Sequence, residues 1–284
     1  MTKGLSTRLW SVAQRQPNVD PLPEYARSGR LKGRRALVAG GFTGGSQIGR
    51  VVATALGKEG AAVALADAVV SDPGAPGAWP LPAPRRGDGQ AATKTRPDSM
   101  VVETAGLVSD FGSYALPLHC DLADEKACQG AVAHTALEFG GIDLLVVCGT
   151  APPEPRRLLE VDADGLERDL RATLYSAFWL VQSVSMHMEE GARVVLAGPQ
   201  ASGARGTNRI GHTAGVAGAL SLAVSLGPAL AERGIAINGL LADDRADPYR
   251  LAEAYVGLFT GTADHPTGTV LPLMGAGRSH EATG

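Results

Sequence analysis

Short apolar runs alternate with longer stretches of helical periodicity along most of the chain. Consecutive apolar residues are typical of parallel strands buried on both faces, whereas apolar residues at helical spacing indicate amphipathic helices. We predict strands at Arg35–Ala39, Ala62–Ala66, Tyr114–His119, Ile142–Cys148, Arg193–Ala197, Ile235–Leu241 and Val270–Met274, and helices at Ile48–Leu56, Glu125–Phe139, Gly165–His187 and Thr213–Glu232. The alternation predicts an α/β fold, with one doubly wound parallel sheet in a single domain and a ligand at the carboxyl ends of the strands.

Three segments do not fit this alternation. Residues 1–30 form a polar N-terminal arm with one short candidate helix at Leu5–Gln14, and the arm is either a frayed terminus or packs on a neighbouring subunit. Residues 68–98 hold six prolines and four glycines, which predicts either a disordered surface flap or a lid over a bound ligand. Residues 278–284 form a C-terminal tail, so the folded domain is expected at 31–277.

Composition and charge narrow the classes of function. The 284 residues are 44% hydrophobic and 19% charged, which is typical of a globular protein, and no stretch approaches a membrane span. A net charge of -3 gives no basic field for nucleic acid or anionic lipid. The three cysteines include no Cys-x-x-Cys pair, which argues against a disulfide framework or a zinc site. We therefore expect a cytoplasmic protein without a metal ion that acts on a small molecule.

A glycine-rich turn joins the first predicted strand to the first predicted helix. It reads Gly40-Gly41-Phe42-Thr43-Gly44-Gly45-Ser46-Gln47-Ile48-Gly49. Glycines let a backbone approach a pyrophosphate, and a helix N-terminus supplies N–H donors and a partial positive charge. The turn predicts a nucleotide site built from Gly40, Gly41, Ser46, Ile48 and Gly49. The alternative is a structural turn that fills the space itself.

Two carboxylates follow the next two strands. Asp67 closes the second strand, where an acidic residue accepts hydrogen bonds from an adenosine ribose and favours NAD over NADP. Asp121 and Leu122 directly follow the third strand. Two plainer interpretations stay open: Asp67 is a solvated carboxylate at a strand end, and Asp121 caps the helix that begins near Glu125.

Further runs carry a resemblance to a known family. They are Ala252-Glu-Ala-Tyr-Val-Gly-Leu-Phe259, Thr267-Gly-Thr-Val-Leu271 and Thr213-Ala-Gly-Val-Ala-Gly218, of which the last aligns with a Lys-Ala-Gly-x-x-Gly motif. From about residue 29 to 277 the chain resembles the short-chain dehydrogenase/reductase (SDR) superfamily. The resemblance implies a Rossmann-type domain, NAD with its adenine against Asp121 and Leu122, and a homodimer or homotetramer formed through the helices at 165–187 and 213–232.

The positions that carry catalysis in that superfamily differ in this chain. The catalytic Tyr falls on Arg209, and the Lys falls on Thr213. The catalytic Ser is replaced by Gly198-Pro199-Gln200, with Ser202 as the nearest hydroxyl, and the Asn by Ala172-Thr173-Leu174. The resemblance implies that Tyr protonates a developing alkoxide and that Lys holds the nicotinamide ribose. We therefore expect carbonyl reduction to be lost, and NAD to bind weakly or not at all for hydride transfer.

Polar residues occupy the vacated positions. Arg209 and His212 open the helix that borders the expected pocket, and Gln200, Ser202 and Thr173 are expected to converge on it. A guanidinium and an imidazole can together bind an anionic oxygen and move a proton. The alternative is that Arg209 points to solvent and His212 is an ordinary residue at a helix start.

These features favour an enzyme of SDR fold with a non-redox step. The candidate steps are cyclisation, isomerisation, dehydration or pericyclic closure of a largely apolar intermediate of specialised metabolism. One alternative is an NAD-dependent oxidoreductase whose acid is a group such as His212. Another is a catalytically inert subunit that binds NAD or a partner. An open pocket beside Arg209 and His212 favours an enzyme, and a pocket filled by side chains favours the inert subunit.

Overall fold

Seven parallel strands form the single sheet of the protein. The computed structural model describes residues 19–42, 47–67, 99–149, 156–200, 209–243, 246–262 and 265–273. The strands are β1 Arg35–Gly40, β2 Ala62–Asp67, β3 Ala115–His119, β4 Leu144–Gly149, β5 Arg193–Gln200, β6 Ala236–Asp243 and β7 Val270–Leu273. Their order across the sheet is β3-β2-β1-β4-β5-β6-β7, and all neighbouring strands pair in parallel. The predicted doubly wound parallel sheet is confirmed, and its order reverses between β1 and β4.

Helices cover both faces of this sheet. Along β1, Ala36 and Val38 face one hydrophobic cluster, while Leu37 and Ala39 face the other, because successive side chains of a strand alternate between faces. The helices are α1 Ile48–Lys58, α2 Ser99–Asp110, α3 Glu125–Phe139, α4 Ala163–Leu170, α5 Ser176–Ser185, α6 Ile210–Ala231 and α7 Pro248–Thr260, with a 3-10 turn at Leu158–Glu160. The first cluster lies under α1, α2 and α7, and the second lies under α3, α5 and α6.

Helix α2 was not predicted from the sequence. It follows directly on the insertion at 68–98, which lies outside the described residues. Its buried Val101, Ala105 and Val108 recur at helical spacing, so a periodic signal was present. Helix α6 begins at Ile210 rather than at the predicted Thr213.

The helix predicted at 165–187 is interrupted by a π turn. Helix α4 runs into a π-helical turn at Arg171–Tyr175, which continues as α5. The hydroxyls of Thr173 and Ser176 donate to the carbonyl oxygens of Asp169 and Ala172, at 2.6 and 3.2 Å. Such hydroxyl-to-backbone bonds satisfy carbonyls of the widened turn, and π turns often lie at functional sites.

The described part of the N-terminal arm packs on its own domain. Leu22 and Tyr25 are buried in the core cluster under α1, and the Lys58 ammonium pairs with Asp20 at 2.7 Å. Residues 1–18 lie outside the described part, and their packing on a neighbouring subunit stays a prediction, whereas residues 19–30 are not a frayed terminus. Apolar burial and charge pairing together fix this segment against α1.

Helix α6 is long and apolar enough to span a membrane by length and composition alone. The expectation that no stretch approaches a span is therefore corrected. The helix packs on β5, β6 and α4, and core helices of α/β domains meet the same criterion.

Candidate functional site at the carboxyl ends of the strands

The described glycines of the turn after β1 pack too closely to carry side chains. Gly40 and Gly41 have φ angles of +77° and +76°, which favour glycine. A Cβ on Gly40 would lie 2.1 Å from the Gly149 oxygen at the end of β4, and one on Gly49 would lie 2.2 Å from the Gly40 oxygen. The Gly49 amide donates to the Gly41 oxygen at 2.9 Å. Three of the predicted binding residues thus hold the turn against β4 and α1, and Ser46 lies outside the described residues.

Gln47 keeps a glycine-like backbone just before α1. Its φ of 42° is left-handed, and the residue is 8% exposed. Such a backbone costs a residue with a Cβ about 1–2 kcal/mol. The backbone at this point therefore follows the path that glycine takes, although the sequence has a bulkier residue directly before Ile48.

Asp67 is buried beside the glycine-rich turn. It is 2% exposed, so the interpretation as a solvated strand-end carboxylate is wrong. Its Oδ2 accepts a hydrogen bond from the Phe42 amide at 3.2 Å, and Phe42 is itself fully buried. The carboxylate therefore ties the end of β2 to the turn after β1, at the edge where a nucleotide is expected.

Asp121 and Leu122 lie beyond the end of β3, next to Asp67. Asp121 is exposed, and its Oδ1 accepts from the Ala123 amide at 2.9 Å. Asp124, not Asp121, caps α3 by accepting from the Ala127 amide at 2.8 Å, so the capping alternative is wrong. Leu122 is fully buried. Only the Asp121 carboxylate of this pair is open to a ligand.

Thr173 lies on the π turn, where α4 meets α6. It is 3% exposed, and its hydroxyl is bonded to the Asp169 carbonyl of its own helix. A Cβ on Gly215 would lie 1.8 Å from this hydroxyl. Thr173 therefore lies in the contact between the π turn and the second turn of α6.

Arg209 and His212 stand at the N-terminus of α6, as predicted. Arg209 is the N-terminal cap residue and is partly buried, while His212 is 7% exposed. Burial lowers the pKa of His212 most; the negative charge of Asp169 opposes this shift, and the positive charge of Arg209 adds to it. His212 is therefore not an ordinary helix-start residue in water, and its imidazole is mainly neutral at neutral pH.

Asp169 is the residue that sequence reasoning missed. A Cβ on Gly211 would lie 2.6 Å from its Oδ2, so the carboxylate rests against the first turn of α6. A carboxylate is stabilised there by the helix dipole. The available signal was its spacing, because Asp169 lies one helical turn before Thr173, which the sequence did single out.

Two other predicted site residues are only partly located. Ser202 lies outside the described residues, and Gln200 is described only as the last backbone position of β5, paired with Asp243 of β6. Thr213, at the position of the expected Lys, is exposed.

The three cysteines are buried free thiols. Cys148 is 8% exposed at the end of β4, and burial raises its pKa above the usual range. The pKa of Cys120 is also raised, first by a hydrogen bond with Cys128 and then by burial. Among the described residues, no group of three or more His, Cys, Asp or Glu side chains is placed to hold a metal ion.

Comparison with known proteins identifies the type of domain. Residues 86–243, more than half of the chain, match the model of a family described as "Enoyl-(Acyl carrier protein) reductase". An uncharacterised oxidoreductase of Bacillus subtilis, YhxD, is 26% identical over 79% of this chain and 67% of its own. Glucose and ribitol dehydrogenase homolog 2 of Arabidopsis thaliana is 28% identical over 78% of this chain and 70% of its own.

Solved structures share the fold at low identity. A dehydrogenase/reductase from Sinorhizobium meliloti superposes with a TM-score of 0.69 at 20% identity, over 87% of this chain and 96% of its own. A short-chain dehydrogenase from Burkholderia cenocepacia, solved with NADP, gives a TM-score of 0.66 at 22% identity, over 87% and 98%. At such identity the likeness establishes the fold alone.

Proposed function

The chain belongs to the short-chain dehydrogenase/reductase superfamily, and on that premise we propose that it is an enzyme with a non-redox acid–base step in place of carbonyl reduction. The substrate is a largely apolar small molecule with one polarised oxygen. The step is an isomerisation, a dehydration, a cyclisation or a pericyclic closure.

One observation carries this proposal: a buried imidazole at the start of α6 has two oppositely charged neighbours. His212 is 7% exposed, and the charges of Asp169 and Arg209 shift its pKa in opposite directions. The resemblance to the superfamily implies that Arg209 and Thr213 occupy the positions of its Tyr and Lys. A guanidinium stays protonated and cannot replace the acid of a reductase, whereas it can bind an anionic oxygen.

The three groups suit a proton transfer without net oxidation. Neutral His212 takes a proton from a carbon next to the substrate carbonyl, and Arg209 stabilises the negative charge that develops on the oxygen. Asp169 stabilises the imidazolium formed in this step. His212 then returns the proton to another atom, which completes an isomerisation, or to a departing hydroxyl, which releases water.

Exchange of substrate protons for deuterium tests this proposal without knowledge of the natural substrate. The full chain is incubated in D2O with a panel of apolar cyclic ketones and enones, and exchange beside the carbonyl is followed by NMR. We expect catalysed exchange without any nicotinamide, and a loss on the order of 100-fold in His212→Gln. The matched control is His134→Gln on α3, outside the site.

An NAD-dependent oxidoreductase is the second candidate, because two carboxylates follow the strands beside the glycine-rich turn. Asp67 and Asp121 follow adjacent strands, β2 and β3, and the glycine turn lies beside Asp67. These residues would hold the adenosine of NAD. When bound, NAD would supply hydride transfer through its nicotinamide ring. Reduction of the ketone panel with consumption of NADH, dependent on His212, would favour this candidate over the first.

The inert subunit is the remaining outcome of the same experiment. It assigns no chemistry to His212, and it predicts neither exchange nor NADH consumption on any member of the panel. The hydrogen bond from the Phe42 amide to Asp67 agrees with this outcome, because the Asp67 carboxylate then stabilises the glycine-rich turn without any nucleotide.

A further inference from the structure

A cavity of about 450 Å³ opens at the end of the sheet opposite to the candidate site. It lies where β1, β2 and β3 begin, between the N-terminal segment, the end of α1 and the turn after α2. The residues that line it come from three segments, 27–34, 57–62 and 111–114. A volume of several hundred Å³ is sufficient for a small organic ligand.

Four of the side chains that line this cavity are basic. They belong to Arg27, Lys32, Arg34 and Lys58, and none of the lining residues is Asp or Glu. Lys58 forms an ion pair with Asp20 at 2.7 Å, whereas the other three form no ion pair with any described residue. Three cations therefore face one concave surface, which concentrates positive potential inside it.

Arg34 and Lys32 have unused hydrogen-bonding capacity. Arg34 Nη2 donates to the Gly191 oxygen at 2.8 Å, but its buried Nε has no acceptor among the described residues. Lys32 is exposed, and it forms no ion pair within the described part of the chain. An exposed ammonium such as that of Lys32 forms charge-assisted hydrogen bonds with an anion that enters the cavity.

Phe111, one of the two aromatic residues that line the cavity, is already covered by cations. The Arg27 guanidinium lies 4.7 Å and the Lys58 ammonium 5.0 Å from the centre of the Phe111 ring, and Arg27 Nη1 donates to the Phe111 oxygen at 3.3 Å. The ring therefore positions charge rather than offering a face for a stacked base. The basic side chains of this cavity therefore favour a ligand that carries negative charge.

Backbone around the mouth is unobstructed. Gly29, Gly33 and Gly112 each have a positive φ, and no atom lies within 4 Å of the place where a Cβ would stand. Extended polyanions can therefore reach the basic side chains without a side chain in the way.

We propose that this cavity binds the di- or triphosphate group of a small polyanion. Arg27, Lys32 and Arg34 contact the phosphate oxygens, because three closely placed cations match two or more negative charges better than a monoanion. The group comes either from inorganic polyphosphate or from the phosphate end of a nucleotide. This site is separate from the residues at the start of α6 and does not depend on the proposed function.

Calorimetry on the full chain tests the proposal with tripolyphosphate as the probe. We expect saturable binding that weakens with added salt, and a loss of about 10-fold or more in Lys32→Glu. The control is Lys126→Glu, an exposed lysine on α3 that is remote from the cavity. Thermal unfolding of both variants establishes that they are folded.

A second titration with ATP distinguishes the sources of the phosphate. Tighter binding of ATP than of tripolyphosphate, lost in Lys32→Glu, identifies a nucleotide; equal binding identifies the inorganic anion. The proposal is overturned if neither probe binds at millimolar concentration, or if Lys126→Glu weakens binding as much as Lys32→Glu.

Discussion

The Thr173 hydroxyl occupies the place where a side chain at Gly215 would begin. The two residues belong to the π turn and to α6, and a Cβ on Gly215 would lie 1.8 Å from Thr173 Oγ1. This contact brings Asp169, which accepts the same hydroxyl through its carbonyl, to the first turn of α6. The geometry of the Asp169, Arg209 and His212 group therefore depends on a glycine outside it.

Replacing Gly215 by alanine is expected to destabilise the fold by about 1–3 kcal/mol. The added methyl must displace Thr173 or separate α6 from the π turn, since the buried Thr173 hydroxyl is bonded to the Asp169 oxygen. Urea unfolding measures the change in the free energy of unfolding.

Gly130→Ala is the matched control for that variant. Gly130 is exposed within α3, and nothing lies within 4 Å of its would-be Cβ. Alanine there should stabilise the protein by about 0.5–1 kcal/mol through helix propensity. Equal effects of the two substitutions would contradict the packing account.

The fold could be predicted because its signals are local. The bounds of α3 follow from Asp124, which caps its first turn, and from Gly140, whose φ of 76° ends it. The seven strands were recognised from consecutive apolar residues, because both faces of the sheet are covered. Helix α2 shows the limit, since its short periodic pattern follows a long proline-rich segment.

The site could be predicted only in part, because it depends on contacts between distant segments. Arg209 and His212 were located through the motif that begins at Thr213. Asp169 was missed because its role depends on contact with Gly211, more than 40 residues later. The π turn was missed for the same reason, as no local pattern distinguishes Arg171–Tyr175 from an ordinary helix.

Asp169→Asn is expected to lower the pKa of His212 further. The carboxylate opposes the effect of burial on the imidazole, so its removal leaves burial and Arg209 acting together. NMR titration of the imidazole protons measures this shift, and the acidic limb of the exchange rate should move to lower pH with it. Asp164→Asn, exposed on the same helix, is the control.

The same lowered pKa has a consequence for stability. The unfolded chain takes up a proton at His212 near the ordinary pKa of 6.5, whereas the folded protein does so only at lower pH. The stability that neutral His212 contributes is thus present at neutral pH and lost as the pH falls through about 6.5. An unchanged imidazole pKa in Asp169→Asn would argue against an electrostatic role for Asp169.

ADP-ribose and NAD are expected to bind with comparable dissociation constants. On the second candidate, Asp67 and Asp121 would hold the adenosine half, while Thr213 would offer no charge to the second ribose. Calorimetry with both compounds measures the contribution of the nicotinamide half, and Asp121→Ala should weaken both alike. Much tighter binding of NADH than of ADP-ribose, with turnover of simple ketones, would instead support the oxidoreductase.

The family resemblance predicts a homodimer or homotetramer that forms through α6. The exposed face of α6 is where a substitution tests this prediction. Gly215 and Gly218 pack against the π turn of their own chain, whereas one exposed stripe is available to a partner. It consists of Ala214, Ala217, Ser221 and Val224. Val224 is 56% exposed, so Val224→Glu should dissociate the oligomer without unfolding it. Light scattering at micromolar concentration tests this, and a monomeric native protein would refute it.

Glu59 is expected to make the N-terminal segment sensitive to acid. Its buried carboxylate accepts from Tyr25, Ser28 and Arg30, with the Arg30 Nη2 at 2.6 Å. Burial alone would raise the pKa of Glu59, but these hydrogen bonds outweigh it and lower the pKa to about 2. The stabilisation is therefore complete above the ordinary pKa of 4.5 and is lost as the pH falls from 4.5 towards 2.

Glu59→Gln should remove that dependence and lower the free energy of unfolding at pH 7 by about 2–3 kcal/mol, because the hydrogen bonds from Tyr25, Ser28 and Arg30 lose their charged, buried acceptor. Glu253→Gln is the control: Glu253 also pairs with Arg30, at 2.9 Å, but its side chain is 40% exposed, and its loss should cost about 1 kcal/mol or less. Urea unfolding at pH 7 and at pH 3 gives both quantities. If Glu59→Gln lost as much stability on acidification as the native chain, the acid sensitivity would have to arise elsewhere in the domain.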